Sequence, residues 1–258
     1  MAEVVSVSKE QGIATVTMDN PPMNTLGAQM RKDLAEVFTD LKTDNEVVAI
    51  ILTGAGERAF MAGADIKEFP DRDKEAEQEA SSTSMDVFSV IENTPKPTIA
   101  MLNGYTLGGG LEVALTCDIR IAEEHASVGL PEVKLGLLPG GGGTQRLPKI
   151  VGPSKAKEIM FTGSQVAADE ALQLGIVSKV VPQGEGLATA QELATKIARQ
   201  SLQALSRIKQ LVNEGTEKPL EEGLKMEREL FDGLFETKDA KEGISAFIEK
   251  RRPVFTHE

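Results

Sequence analysis

Apolar and polar positions alternate with a period of two over residues 4–8 and 13–18. Gln11-Gly12 separates the two runs and Asn20-Pro21-Pro22 stops the second, which predicts a β-hairpin. Over 27–42 the period lengthens: Met30, Leu34, Val37, Phe38 and Leu41 recur at helical spacing. Residues 47–53 form a short apolar, β-rich run ended by Gly54-Ala55-Gly56, so the chain opens as strand, helix, strand. The small-residue stretch AFMAGAD (59–65) reads as a second turn, where backbone can approach a ligand closely. Residues 70–84, PDRDKEAEQEASSTS, are polar and acidic; they predict a solvated loop, a candidate lid, leading into a helix that ends near Glu92. Pro95 and Pro97 punctuate the entry to a strand over 98–102. In GGGLEVALTC (108–117), Leu111, Val113, Ala114 and Leu115 cover more than one helical face, which predicts a short enclosed helix, followed by a strand over 118–122. The run VGLPEVKLGLL (128–138) also reads as buried. A second glycine run, 140–143, opens onto Gln145, Arg146 and Leu147. Beyond Gly152 helical spacing dominates, at 154–162 and 167–174, with a strand at 176–181 and long helices to Lys250. There Leu220, Leu224, Leu230, Phe231, Leu234 and Phe235 make one apolar stripe, and Ile244, Phe247 and Ile248 another, for packing on the core or on a neighbouring subunit.

Composition narrows the function classes. A chain of 258 residues can bury one sizeable core with a smaller appended region. With 28 Lys and Arg against 40 Asp and Glu, the net charge of −12 argues against nucleic acid and anionic membrane as main partners. Any anionic ligand must be held locally. Cys117, the single cysteine, excludes an internal disulfide framework and reads as a small buried hydrophobe in a reducing compartment. MAEVVSVSKEQG has neither the basic flank nor the apolar core of a signal peptide, and no apolar run is long enough to span a membrane, so a cytoplasmic location is expected. Of the two histidines, His125 reads as a loop residue and His257 lies in a tail expected to fray. A multi-histidine metal site and a histidine-based triad are therefore not expected. No GxSxG elbow, P-loop or GxGxxG fingerprint occurs. The basic cluster Lys250, Arg251, Arg252 reads as a solvated helix end or a phosphate contact.

Two carboxylates stand out against these surroundings. Glu112 is the only charge in GGGLEVALTC, and Glu132 shares its apolar run with Lys134 alone. An ionised carboxylate away from water needs a partner or shifts its pKa, so two such acids are a candidate general acid/base pair. Each alone has a plainer explanation. The helix macrodipole favours an acid at the position of Glu112, and Glu132 after Pro131 can begin a turn with its side chain in water. Gly108, Gly109 and Gly110 shift the balance: they clear side chains from a helix start and bare N–H groups that can bind an anion or a developing oxyanion.

AFMAGADIKEF (59–69), NGYTLGGGLEVALTCDIRIA (103–122) and GLPEVKLGLLPGGGGTQRLPKIVG (129–152) resemble, in order, the successive motifs of the enoyl-CoA hydratase (crotonase) family. The resemblance extends through DAKEGISAFIEKRRPVF (239–255) and covers essentially the whole chain. It implies an α/β fold, a crotonase-like spiral of β-β-α units in two roughly perpendicular sheets, over 1–200. A helical region, 201–258, would serve oligomerisation as a homotrimer or a hexamer and close the active site. It implies Glu112 and Glu132 as catalytic residues, without saying which is acid and which base. The backbone N–H groups of Ala64 and Gly109 would form the oxyanion hole, and Gly140 would help hold a water. Arg58, Ala62, Ala64 and Lys67 would bind coenzyme A, which enters as part of an acyl-CoA thioester substrate, with no metal and no separate cofactor. Met61 and Leu130 fall near the implied acyl pocket. The implied reaction is reversible addition of water to a trans-2-enoyl-CoA; the same fold with an isomerase or a specialised dehydratase activity, and a non-catalytic acyl-CoA binder, are the alternatives.

Overall fold

β1 (Val5–Glu10) and β2 (Ile13–Met18) pair antiparallel, with Glu10 opposite Ile13, as the alternation predicts. The structure is a computed structural model that describes residues 4–68 and 87–258. The expected lid at 70–84 and the start of its helix lie outside the described residues; 87–92 are helical.

After α1 (Ala28–Thr43) and β3 (Ala49–Gly54), the next five strands alternate between two sheets. β3 pairs parallel with β5 (Thr98–Leu102), and β5 with β7 (Ile119–Glu123), in the larger sheet. β4 (Ala59–Ala62) pairs parallel with β6 (Tyr105–Leu107), and β6 with β8 (Ser127–Gly129), in the smaller one. α2 (Gly109–Thr116) joins β6 to β7, so the chain climbs as a spiral of β-β-α turns. Beyond β8 come α3 (Gly143–Val151), α4 (Pro153–Thr162), β9 (Gln165–Ala167), α5 (Ala168–Gln173), β10 (Lys179–Val181) and α6 (Gly186–Ala198). β9 extends the smaller sheet antiparallel to β8, and β10 extends the larger one parallel to β7.

The larger sheet is covered on both faces. All residues of β3 and β5 are buried, as parallel strands between helices must be. Ile50, Leu52, Ala100 and Leu102 face the main core with Leu34 and Phe38 of α1; the alternate residues Ile51, Ile99 and Met101 face Ala190 and Ala194 of α6.

Several expectations change. The stretch 59–65, read as a turn, begins with strand β4; four residues are too few to show a period, and it is the pairing with β6 that makes them a strand. β6, β8 and β9, three residues each, were invisible for the same reason. α3 was hidden by a glycine start and an internal Pro148. Ile176 and Val177 are buried, but the strand begins only at Lys179. The run 128–138 is buried only through Leu130; a 3-10 turn, Glu132–Leu135, then carries it outward, leaving Leu138 70% exposed.

The end of the chain is tied down rather than frayed. After α7 (Leu202–Gln210) and α8 (Leu220–Leu234), α9 (Lys238–Glu249) begins with buried Asp239. Its carboxylate accepts from Thr256 N–H (2.8 Å), His257 N–H (3.0 Å) and Ser201 Oγ (2.6 Å), and Leu202 N–H donates to His257 Nδ1 at 3.2 Å. Arg251 of the basic cluster is held by Glu242 and Glu249.

Candidate active site

Glu112 lies in the first turn of α2, a helix buried from Gly110 to Thr116. Gly108, at φ 54° and ψ −128°, makes the sharp entry that an L side chain would resist. A Cβ on Gly110 would meet the Met61 carbonyl oxygen at 1.9 Å, so α2 sits against β4 at a distance only glycine allows. The first N–H groups of a helix lack intrahelical acceptors, and Gly109 opens this one.

Ala64 is brought to that helix start by a bridge to Leu26. Leu26 N–H donates to the Gly63 carbonyl at 2.9 Å and Asp65 N–H to the Leu26 carbonyl at 3.5 Å. Ala64, between them, therefore turns its own N–H away from Leu26, as alternate residues of a parallel pair do. A Cβ built on Gly109 would lie 3.8 Å from Ala64 N, so the two groups are neighbours.

The register of the smaller sheet delivers Glu132. Leu107 stands opposite Gly129, and Gly108 N–H donates to the Gly129 carbonyl at 2.8 Å. The chain leaving β8 passes the glycines at that point, and Glu132 Oε1 comes 2.9 Å from where a Gly108 Cβ would be. Glu132 Oε2 is buried without a hydrogen-bond partner among the described residues. Burial pushes its carboxyl up to about 7, and the charge of Glu112 acts in the same direction. Glu112, 3% exposed, is raised by burial too, but its Oε1 accepts from Gly143 N–H at 2.8 Å and Gly141 N–H at 2.7 Å, and these donors and the Arg146 charge oppose the rise. Two N–H donors with no backbone partner among the described residues thus lie beside one carboxyl that holds a proton up to about 7 and another whose rise is opposed by two backbone donors and the Arg146 charge. Such a site can bind an oxyanion and move protons on either side of it.

A sequence family described as enoyl-CoA hydratase/isomerase matches residues 8–258. This chain belongs to the enoyl-CoA hydratase/isomerase family. It is 43% identical over 249 residues to a short-chain-enoyl-CoA hydratase of Clostridium acetobutylicum, covering 96% of this chain and 95% of that one. It is 38% identical over 254 residues to a crotonyl-CoA hydratase of Syntrophomonas wolfei, 98% of each chain. The crystal structure of an enoyl-CoA hydratase from Bacillus anthracis superposes with a TM-score of 0.96 at 38% identity, over 99% of this chain and 100% of that one.

Against the positions that the family resemblance marked, the structure brings Glu112, Glu132, Ala64 and Gly109 together. Gly140 is exposed, one residue before Gly141. Ala62 ends β4, its N–H on the Met23 carbonyl at 3.0 Å. Arg58 and Lys67 are both exposed and flank the β4–Ala64 segment, Lys67 on the 3-10 turn Ile66–Glu68. Met61 and Leu130 are fully buried. The Cys117 thiol is buried and pushed up to about 12, which disfavours a thiolate nucleophile. Among the described residues there is no group of His, Cys, Asp and Glu arranged for a metal, and no helix is long and apolar enough to cross a membrane. A hollow of about 220 Å³ lined by Ser8, Glu10, Thr15, Gln191 and Thr195, among others, includes none of these residues. Sequence reasoning missed the Gly141 and Gly143 donors to Glu112; the unbroken glycines before α3 were the available signal.

Proposed function

We propose that the protein is an enoyl-CoA hydratase that adds water reversibly across the trans-2 double bond of an enoyl-CoA, giving the 3-hydroxyacyl-CoA. The observation that carries this reading is the unequal pair of carboxyls beside two N–H donors that have no backbone partner among the described residues. The thioester carbonyl accepts from Ala64 and Gly109 N–H, and these donors stabilise the enolate-like oxygen as charge develops there. Water, held by Glu112 with help from the Gly140 backbone, loses a proton to Glu112 as its oxygen bonds to C3. Glu132 gives its proton to C2. One proton enters the pair and one leaves it, so the reaction is redox-neutral and needs no cofactor beyond the coenzyme A of the substrate. An isomerase needs one shuttling base, and a binder needs no buried acid; the second carboxyl, with its own pair of donors, favours hydration.

Arg58 and Lys67 are proposed to meet the nucleotide phosphates of coenzyme A in a chain of net charge −12. The stripe of Leu220, Leu224 and Phe231 on α8, Phe235 just after it, and Ile244, Phe247 and Ile248 on α9 is exposed in the single chain. It supports a 201–258 region that assembles the 1–200 core into a trimer or hexamer; the location proposed is the cytoplasm. The deciding assay follows loss of enoyl-thioester absorbance with crotonyl-CoA and identifies the product. A 3-hydroxy product is expected. Efficient shift of a 3-enoyl-CoA double bond with no hydration would establish an isomerase instead, and acyl-CoA binding with neither reaction a non-catalytic binder.

A further inference from the structure

Arg146, in the first turn of α3, ties the glycine loop that seats Glu112 to the helical segment 87–92. Its Nε and Nη2 donate to Glu92 Oε1 (2.8 Å) and Oε2 (2.6 Å), a two-pronged fork onto the helical segment 87–92. The remaining nitrogen, Nη1, donates to the Gly141 carbonyl at 3.0 Å. The same Gly141 donates its N–H to Glu112, as does Gly143. Gly142, between them, has φ 100°, and a Cβ there would lie 2.1 Å from Arg146 Nη1, so the guanidinium fills the space that a side chain at 142 would take. A Cβ on Gly141 would strike the Phe88 ring at 2.3 Å. The glycines that let the ring and the guanidinium approach are also the residues with most backbone freedom to lose, and nothing in their own covalent structure keeps their N–H groups aimed at a carboxylate.

We propose that Arg146, braced by Glu92, is a positioning residue: it holds the Gly141 carbonyl so that the N–H groups of Gly141 and Gly143 stay directed at Glu112 Oε1. It touches no reacting atom. This rests on hydration being the reaction and on Glu112 acting in it. Arg146→Lys retains a charge but cannot supply both the fork and the third bond, so it separates geometry from electrostatics.

The test compares Arg146→Lys, Arg146→Ala and Glu92→Gln with wild type in crotonyl-CoA hydration, together with hydrogen-exchange mass spectrometry over 139–146 and over β3 and β5. Both Arg146 variants should lose about tenfold to a hundredfold in kcat, with KM within about twofold, because a misplaced catalytic group costs turnover more than binding. Glu92→Gln should lose less, in the same direction. Exchange should quicken over 139–146 and stay slow in β3 and β5. Wild-type kcat in Arg146→Lys, or unchanged exchange over 139–146 in both Arg146 variants, overturns the proposal. If both Arg146 variants lose protection in β3 and β5, Glu92→Gln decides, and wild-type kcat in it overturns the proposal. Wild-type protein that adds no water overturns the hydratase reading instead, and exchange over 139–146 then still decides on the clamp.

Discussion

Glu112 is met by two backbone N–H groups at 2.7 and 2.8 Å from a glycine loop, while Glu132, on a turn that runs out toward solvent, leaves Oε2 buried without a partner among the described residues. Burial raises both carboxyls, so burial is not what distinguishes them. The donors are. Two N–H groups stabilise the charged form of Glu112, whereas the charge they stabilise makes ionising Glu132 harder still. In the proposed reaction the pair shares one proton, carried by Glu132, whose carboxyl is pushed up to about 7, and the acid and base roles follow from which backbone each side chain meets.

The largest expected effect comes from removing either acid while keeping its shape. Glu112→Gln and Glu132→Gln should each lower crotonyl-CoA hydration by at least about a hundredfold, and the double variant should lose little more, because the two act as one unit. Steady-state kinetics on the three variants, with acyl-CoA affinity measured alongside, checks this. Affinity should survive, since the oxyanion donors belong to the backbone. A double variant that loses the product of the single effects would mean that the acids act independently.

A smaller effect concerns pH. The singly protonated pair is the active form for hydration and for the reverse reaction, so kcat/KM in both directions should fall as pH rises past about 7, where burial and Glu112 have placed the Glu132 proton. Profiles recorded in the two directions should share that limb. Glu132→Gln should retain no such limb in its residual activity.

The smallest effect is on stability, and its sign is opposite to the usual acidic case. Glu132 is raised from 4.5 to about 7 on folding, so between those values the native state binds more protons than the unfolded state and stability falls as pH rises. Glu132→Gln removes that loss. Its melting temperature should exceed wild type by about 2–4 °C at pH 8, a modest figure because solvent reaches part of the group, with the gain shrinking toward pH 5. Glu112→Gln should gain less, since the Gly143 and Gly141 donors and the Arg146 charge oppose the rise of its carboxyl. Calorimetry at the two pH values measures the difference.

The two seats were not equally legible. The glycine-led helix of Glu112 was readable because Leu111, Val113, Ala114 and Leu115 leave no polar face, and the structure buries them. The seat of Glu132 was read as buried throughout, yet Val133, Leu135, Leu137 and Leu138 turn outward, because one apolar run does not say which side of a turn is covered. No local pattern marks Asp239 as a buried anchor, since its partners, Ser201, Thr256 and His257, lie 38, 17 and 18 residues away.

Sequence by itself determined the hairpin, α1, the strands β3, β5 and β7 and the glycine-led helix, because each has a local period or a run long enough to register. It also singled out Glu112 and Glu132, as charges in apolar surroundings. Tertiary structure alone decided that three-residue segments become β6, β8 and β9, since only pairing partners distant in the chain make them strands. It decided too that Gly108 lies under Glu132, that Ala64 N–H and Gly109 N–H are neighbours, and that Arg146 reaches both Glu92 and the Gly141 carbonyl. The physical reason is common to these cases. Periodicity reports which side of an element is apolar, while the direction of a backbone N–H and the partners of a buried carboxyl depend on where the other turns of the spiral come to rest.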